Sequence, residues 1–436
     1  MVEGRGVVRG AAMSRGLERD WTIEFARAFA IGVVVVVHWI SIRVTMVDGT
    51  VRGESALSGR PVWVLSWFIQ VMPLFFLAGG FANARIVDRH QSYGAYLGAR
   101  ARRLVTPLLA LFAIVVPLGA AVGSVSERAA AVLADIVASP LWFLAIYLVA
   151  VMVAPIAVWV HDMAAWVLPV TLLLGALAVD AARFGGDGRW ADWNLLLVWL
   201  FCHQLGIIYA RGTLRRIASG GLVLTAVAGA AVLAVMVLLG PYPPTTLGMA
   251  DAPVSNLSPP TAAIAVLAAV QLAVLALVDR RVRGRTPAGP VGRGVRAVTE
   301  MLMPLYLWHI PVIAVLTAPA LALPALLPSD PGTWWALRPL WIIAGAAVLF
   351  CVARAAMRWE SFCARYAART APVPVVVGAA TAAAGIFLLW RHGVAPHGVA
   401  AWAVCLVVVA AALLGTLRRV GDDTSLTRPE AGTTRQ

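Results

Sequence analysis

The segment of this chain best suited to chemistry begins at Glu24 and Arg27 and reaches His38 after ten intervening residues. A helix turns 100° per residue, so the steps from Arg27 to His38 bring both side chains to nearly the same face, roughly 16 Å apart along the axis. Glu24, three residues before Arg27, is spaced to pair with it. An imidazole is suited to take a proton from a hydroxyl, and an arginine to hold an anionic group such as a phosphate. These residues stand in a strongly apolar run (RAFAIGVVVVVH), where ionisable groups are costly and usually face a polar cavity or pathway. The residues alone also admit a plainer reading, a packed histidine and an arginine snorkelling at a helix end.

The elements that must position these groups follow from composition. Of 436 residues, 61% are hydrophobic and 13% charged, with a mean hydropathy of +0.84. A soluble domain is about half apolar and a quarter charged, so the chain reads as a polytopic membrane protein. A span needs about 20 mostly apolar residues. Stretches of that kind occur at 23–43, 62–82, 104–124, 140–160, 163–180, 193–210, 219–240, 260–279, 300–323, 338–356, 372–390 and 398–417. No alternating strand pattern is present, which excludes a β-barrel. The expected fold is all-α, a transmembrane helical bundle of about ten core spans plus two C-terminal ones.

Charge sets the expected orientation. The net charge is +14, and all 35 basic residues are arginine. With the N-terminus inside, 26 arginines fall on inner segments and 8 on outer ones, with Arg27 inside a span. That asymmetry follows the positive-inside rule and places both termini in the cytoplasm of a multi-pass cell-membrane protein. It also removes nucleic acid as the explanation of the charge. The first apolar run starts late, is full length and lacks a small-residue cleavage site, so it reads as a retained span rather than a signal peptide. The expected organisation is a cytoplasmic segment at 1–22, a membrane domain at 23–356, two further helices with their loops at 357–417, and a cytoplasmic disordered tail at 418–436. No fused soluble domain is expected at either end.

Other candidates carry less. Cys202, Cys351, Cys363 and Cys405 show no C-x-x-C spacing and read as packing residues. No metal, Walker or dinucleotide signature occurs, so neither a metal nor a bound cofactor is expected. His203 beside Gln204 reads as an interhelical hydrogen-bonding pair. Gly79 and Gly80 read as small residues for close helix packing. Asp180, Arg183, Asp187, Arg189 and Asp192 read as a solvated mixed-charge outer loop. The segment from Pro241 to Pro260 reads either as a lid or as a turn-rich connection.

Taken in order, several motifs resemble the membrane acyltransferase-3 family of O-acetyltransferase type. Glu24, Arg27 and His38 match its opening pattern of an acidic residue, an arginine and, after ten residues, a histidine. Leu74 to Phe81 (LFFLAGGF) resembles its F-F-x-x-S-G-F element, with Ala78-Gly79-Gly80 in place of a plain Ser-Gly. Arg100-Ala101-Arg102-Arg103, then Leu104 and Pro107, resembles its R-x-x-R and R-L-x-P elements. Pro140 to Leu148 (PLWFLAIYL) resembles H-L-W-F-L, with Pro140 at the histidine position, and Leu305 to Ile313 (LYLWHIPVI) resembles Y-L-x-H-x-P. The likeness runs from about residue 20 to 355.

The resemblance implies an enzyme that moves an acyl group, often acetyl, from cytoplasmic acyl-CoA to a hydroxyl of a carbohydrate or lipid-linked glycan. The anionic donor would approach the arginine-rich inner side, with Arg100 and Arg103 on its phosphates. Arg27, supported by Glu24, would guide the pantetheine end, and His38 would be the general base. His309, Tyr306 and Trp142 would line the substrate cavity, although each also reads as packing or interfacial residues. Acyl-CoA is thus expected as a co-substrate and the bilayer as the surroundings, with the oligomeric state open. The competing reading is a transporter or flippase of a lipid-linked sugar, with Arg27 and His38 lining a pathway; no internal repeat of the transporter kind supports it.

Overall fold

The computed structural model describes residues 19–416 apart from 48–49, 58–59, 90–91, 247–253, 323–329 and 368–369. The expected tail at 418–436 and most of the 1–22 segment lie outside the described residues. Backbone groups in a bilayer have no water to bond, so the chain satisfies them within helices. In order these are α1 (Trp21–Ser41), a hairpin of β1 (Ile42–Val47) and β2 (Thr50–Ser55), α2 (Arg60–Ile69), α3 (Met72–Val87), α4 (Tyr93–Gly123), α5 (Glu127–Ala138), α6 (Leu141–Met163), α7 (Val167–Phe184), α8 (Asn194–Ala210), α9 (Ser219–Leu238), α10 (Ala262–Val282), α11 (Gly289–Glu300), α12 (Leu302–Ala322), α13 (Pro331–Arg365), α14 (Pro372–His392) and α15 (Gly398–Leu413). Among the described residues ten helical segments are long and apolar enough to span a membrane, and an eleventh, from Gly289 to Thr317, is broken at Met301. The twelfth expected span is α15, whose 16 residues reach only about 24 Å. The fold is the polytopic helical bundle that the apolar pattern predicts.

Local chemistry sets several helix ends. Asp20 accepts from the Ile23 amide at 3.1 Å and so caps α1. Ser92, Ser126 and Asp330 cap α4, α5 and α13 in the same way. The antiparallel hairpin pairs Ile42 with Ser55 through Val47 with Thr50. It was not expected from the sequence, and it ends the first helix at Ser41 rather than at residue 43.

The chain divides into two compact units, residues 1–85 with 156–302, and residues 86–155 with 303–436. In the first unit α3 and α8 cross in direct contact. A Cβ placed on Gly206 would lie 1.9 Å from the Leu77 carbonyl oxygen, and one on Gly80 1.9 Å from that of His203. Only glycine permits this approach, which bears out the packing role read for Gly80. His203 and Asn83 meet across the crossing, with His203 Nε2 and Asn83 Nδ2 3.0 Å apart, and Phe76 stacks on Trp199 at 4.9 Å.

The α9–α10 connection in this unit is tied down where it is described. Thr246 donates its amide to Ser66 Oγ and its hydroxyl to the Ser66 carbonyl, Trp67 donates to the Pro244 carbonyl, and Asn256 donates to the carbonyls of Pro243 and Thr245. One expectation is corrected here. Asp180 is not part of a solvated loop but is 1% exposed; it accepts from Asn194 Nδ2 at 2.8 Å and from the Ala262 amide at 2.7 Å. Its carboxylate meets the first amide of α10, a donor that has no partner within the helix. Asp187 and Arg189 do stay at the surface as expected of that loop, where they pair with each other at 2.8 Å, and the Arg189 guanidinium holds the Asp187 carboxyl below its ordinary range.

In the second unit the last two helices are packed into the body rather than appended to it. α14 and α15 lie against each other and against α4. Gly94 and Gly98 of α4 face Pro372 and Val375 of α14. Arg102 donates to the Leu414 carbonyl at 2.9 Å, and the Val394 amide donates to the Ala134 carbonyl.

Candidate functional site

The first group of residues lies on α1. Arg27 Nη1 is 3.3 Å from Glu24 Oε1, the i, i+3 pair that the spacing predicts. The other carboxylate oxygen of Glu24 accepts from Thr299 Oγ1 at 2.7 Å. Arg27 is therefore held by a carboxylate that is itself anchored on α11. Thr299 carries no sequence signal, because it stands far along the chain and its type is ordinary.

His38 is three residues from the end of α1, roughly 5 Å along the axis, and is exposed. It stands in the last turn of α1, just before the hairpin. Its Nδ1 is 2.8 Å from the Val34 carbonyl oxygen. A carbonyl can only accept, so Nδ1 carries the hydrogen and Nε2 of the neutral ring carries the lone pair. Ser41 Oγ donates to the His38 carbonyl at 3.0 Å and steadies the same turn.

A second group lies in the second unit, where helix packing brings three of the motifs together. Arg100 Nη2 donates to the Tyr147 hydroxyl at 3.0 Å. Tyr147 stacks on Phe143 at 5.5 Å, and Phe143 packs on Tyr306 at 5.1 Å. Tyr306 donates its hydroxyl to the Pro140 carbonyl at 2.6 Å. His309 is fully buried, with Nδ1 2.6 Å from the Tyr306 carbonyl oxygen. Trp142 meets Phe143 edge-on at 6.2 Å and is partly accessible.

The three arginines of the Arg100–Arg103 run do different work. Arg100 turns inward to Tyr147, Arg102 is bound to a backbone carbonyl near the chain's last described turn, and Arg103 is exposed and interacts electrostatically with Glu360. Sequence alone does not separate them. Glu24, Arg27 and His38 belong to the first unit, and Arg100, Arg103, Trp142, Tyr306 and His309 to the second.

A bundle of apolar helices with an anchored Arg–Glu pair and an oriented histidine on its first span defines a polytopic membrane protein with a polar site. A family model described as an acyltransferase domain, that of the acyltransferase-3 family, matches residues 20–358, and the chain belongs to this family. It is therefore a multi-pass membrane protein of acyltransferase type. The match stops at 358, so α14 and α15 lie beyond it. No curated protein and no solved structure matches the chain significantly.

Proposed function

We propose that this protein moves an acyl group, acetyl in the simplest case, from acyl-CoA to a hydroxyl of a carbohydrate or lipid-linked glycan, with His38 as general base. The observation that carries the proposal is the His38–Val34 hydrogen bond, which fixes the imidazole on the last turn of a membrane helix and sets its tautomer. In the step proposed, Nε2 accepts the acceptor's hydroxyl proton as its oxygen attacks the thioester carbonyl. A C–O bond forms and the C–S bond breaks. The departing CoA sulfur takes the proton back from the imidazolium. Direct transfer needs no group beyond a base, and an acyl-enzyme is unnecessary.

Arg27, fixed by Glu24 and Thr299, supplies a cation for the donor's pantetheine end or for negative charge on the reacting carbonyl. Arg100 and Arg103 supply cations for the donor's phosphates. The arginine asymmetry supports cytoplasmic termini and a donor arriving from the cytoplasm. His309, Tyr306 and Trp142 are proposed as wall residues of the substrate cavity.

The test uses membranes containing the full chain, given acetyl-CoA labelled in the acetyl group. Label should appear in a glycan or lipid product, and His38→Ala should lower the transfer by about 100-fold or more. Transfer that is unchanged in His38→Ala rules out the base.

A further inference from the structure

In the first unit, a cavity of about 300 Å³ opens between the end of α8, the 3-10 turn Thr213–Arg216 and the end of α10. Its wall includes Tyr209, Gly212, Arg215, Asp279, Arg280 and Arg283. Three guanidinium groups and one carboxylate thus line it, and the Tyr209 hydroxyl donates to a second carboxylate, that of Asp20. Asp279 is already engaged, by Arg283 and by the Thr22 hydroxyl. Arg280 is held by neutral oxygens, those of Ser219 Oγ and the carbonyls of Leu214 and Ile217. Its charge therefore has a fixed place on the wall without a carboxylate to offset it.

Arg215 is exposed and, among the described residues, forms no ion pair. Gly212 has a φ of +70°, and a Cβ there would lie 3.2 Å from Arg215 Nε and Cδ. The glycine lets the Arg215 side chain fold back over the turn onto the cavity. A concave wall with two unneutralised guanidiniums suits an anion that accepts several hydrogen bonds at once. Its volume is at the small end of ligand pockets, which run from about 300 to 1,000 Å³. That is larger than one phosphate needs and leaves room for part of an ester carrier.

We propose that this cavity binds a phosphate ester, with Arg215 and Arg280 as its cations. The chemistry is shared by the phosphates of a nucleotide and by an anionic lipid headgroup. The proposal does not depend on acyl transfer at His38, because binding is read without turnover.

The full chain is purified in an uncharged detergent and titrated with two probes, adenosine 3′,5′-bisphosphate and short-chain phosphatidylglycerol, with short-chain phosphatidylcholine as the neutral comparison. Arg215→Ala is compared with the parent and with Arg354→Ala, which removes the same charge from α13. Thermal midpoints confirm that each variant is folded. The proposal expects one anionic probe to bind and to weaken about tenfold in Arg215→Ala while Arg354→Ala leaves it unchanged. Loss for the bisphosphate assigns the site to a nucleotide, and loss for phosphatidylglycerol assigns it to lipid. Neither probe binding, or equal effects of the two variants, overturns the proposal.

Discussion

Thr299 donates its hydroxyl to Glu24 at 2.7 Å, linking α11 to the carboxylate that orients Arg27. Removing this donor leaves the carboxylate free to swing, and Arg27 with it. Thr299→Val preserves shape and should lower acyl transfer by about tenfold, the value of one hydrogen bond to a charged group. Thr299→Ser restores the donor and should recover most of the rate. Equal rates in Thr299→Val and the parent separate Glu24 from any positioning role.

Tyr147→Phe removes the oxygen that receives Arg100 and keeps the ring stacked on Phe143. If Arg100 contacts the donor's phosphates, KM for acyl-CoA should rise about three- to tenfold with kcat nearly constant. A fall in kcat at constant KM instead places Arg100 outside donor binding.

Gly206→Ala puts a methyl against the Leu77 carbonyl at a distance no backbone can accept. Either α3 or α8 must shift, at a cost of about 3 kcal/mol or more. The protein should lose most of its monodisperse yield or a large part of its thermal stability. Gly32→Ala is the matching control, since nothing lies within 4 Å of its added Cβ; it should be neutral or gain about 0.5–1 kcal/mol of helix stability.

Asp20 supplies a pH dependence. Burial raises its carboxyl above the ordinary value of 3.8, with the nearby Asp279 adding to the effect; the hydrogen bonds from Ile23 and Tyr209 oppose it. The folded state therefore holds this proton more tightly than the unfolded state does. The resulting stability is present in full below the ordinary value and is lost as pH rises through the raised one. Asp20→Asn keeps an acceptor for the Ile23 amide and cannot ionise. Its thermal midpoint should fall less than the parent's across the weakly acidic range, when both are scanned at matched pH.

The first of the candidate site residues were legible because they sit on one helix. Glu24, Arg27 and His38 obey a spacing that any reader of helical periodicity can compute, and the Glu24–Arg27 pair forms as that spacing requires. The partners that packing brings from far along the chain were not legible. Thr299 reaches Glu24 across a separation of 275 residues, and Asn83 reaches His203 across 120. Nothing in their types announces these partners. The hairpin after Ser41 was not legible either, because a short strand pair leaves little trace beside long apolar helices.

The chain by itself determined the class of structure. Apolar runs about as long as a bilayer is thick can only become helices there, since a backbone without water must bond to itself. The arginine asymmetry, the spacing on α1 and the ordered motifs are likewise local properties that survive without coordinates. Tertiary structure decided which of these residues act together. It sorted Arg100, Arg102 and Arg103 into three different environments, buried Asp180 at the start of α10, and gathered Arg215, Arg280 and Arg283 around one cavity. Such groupings depend on which helix faces meet, and contacts between faces far apart in sequence are set by packing rather than by any local pattern.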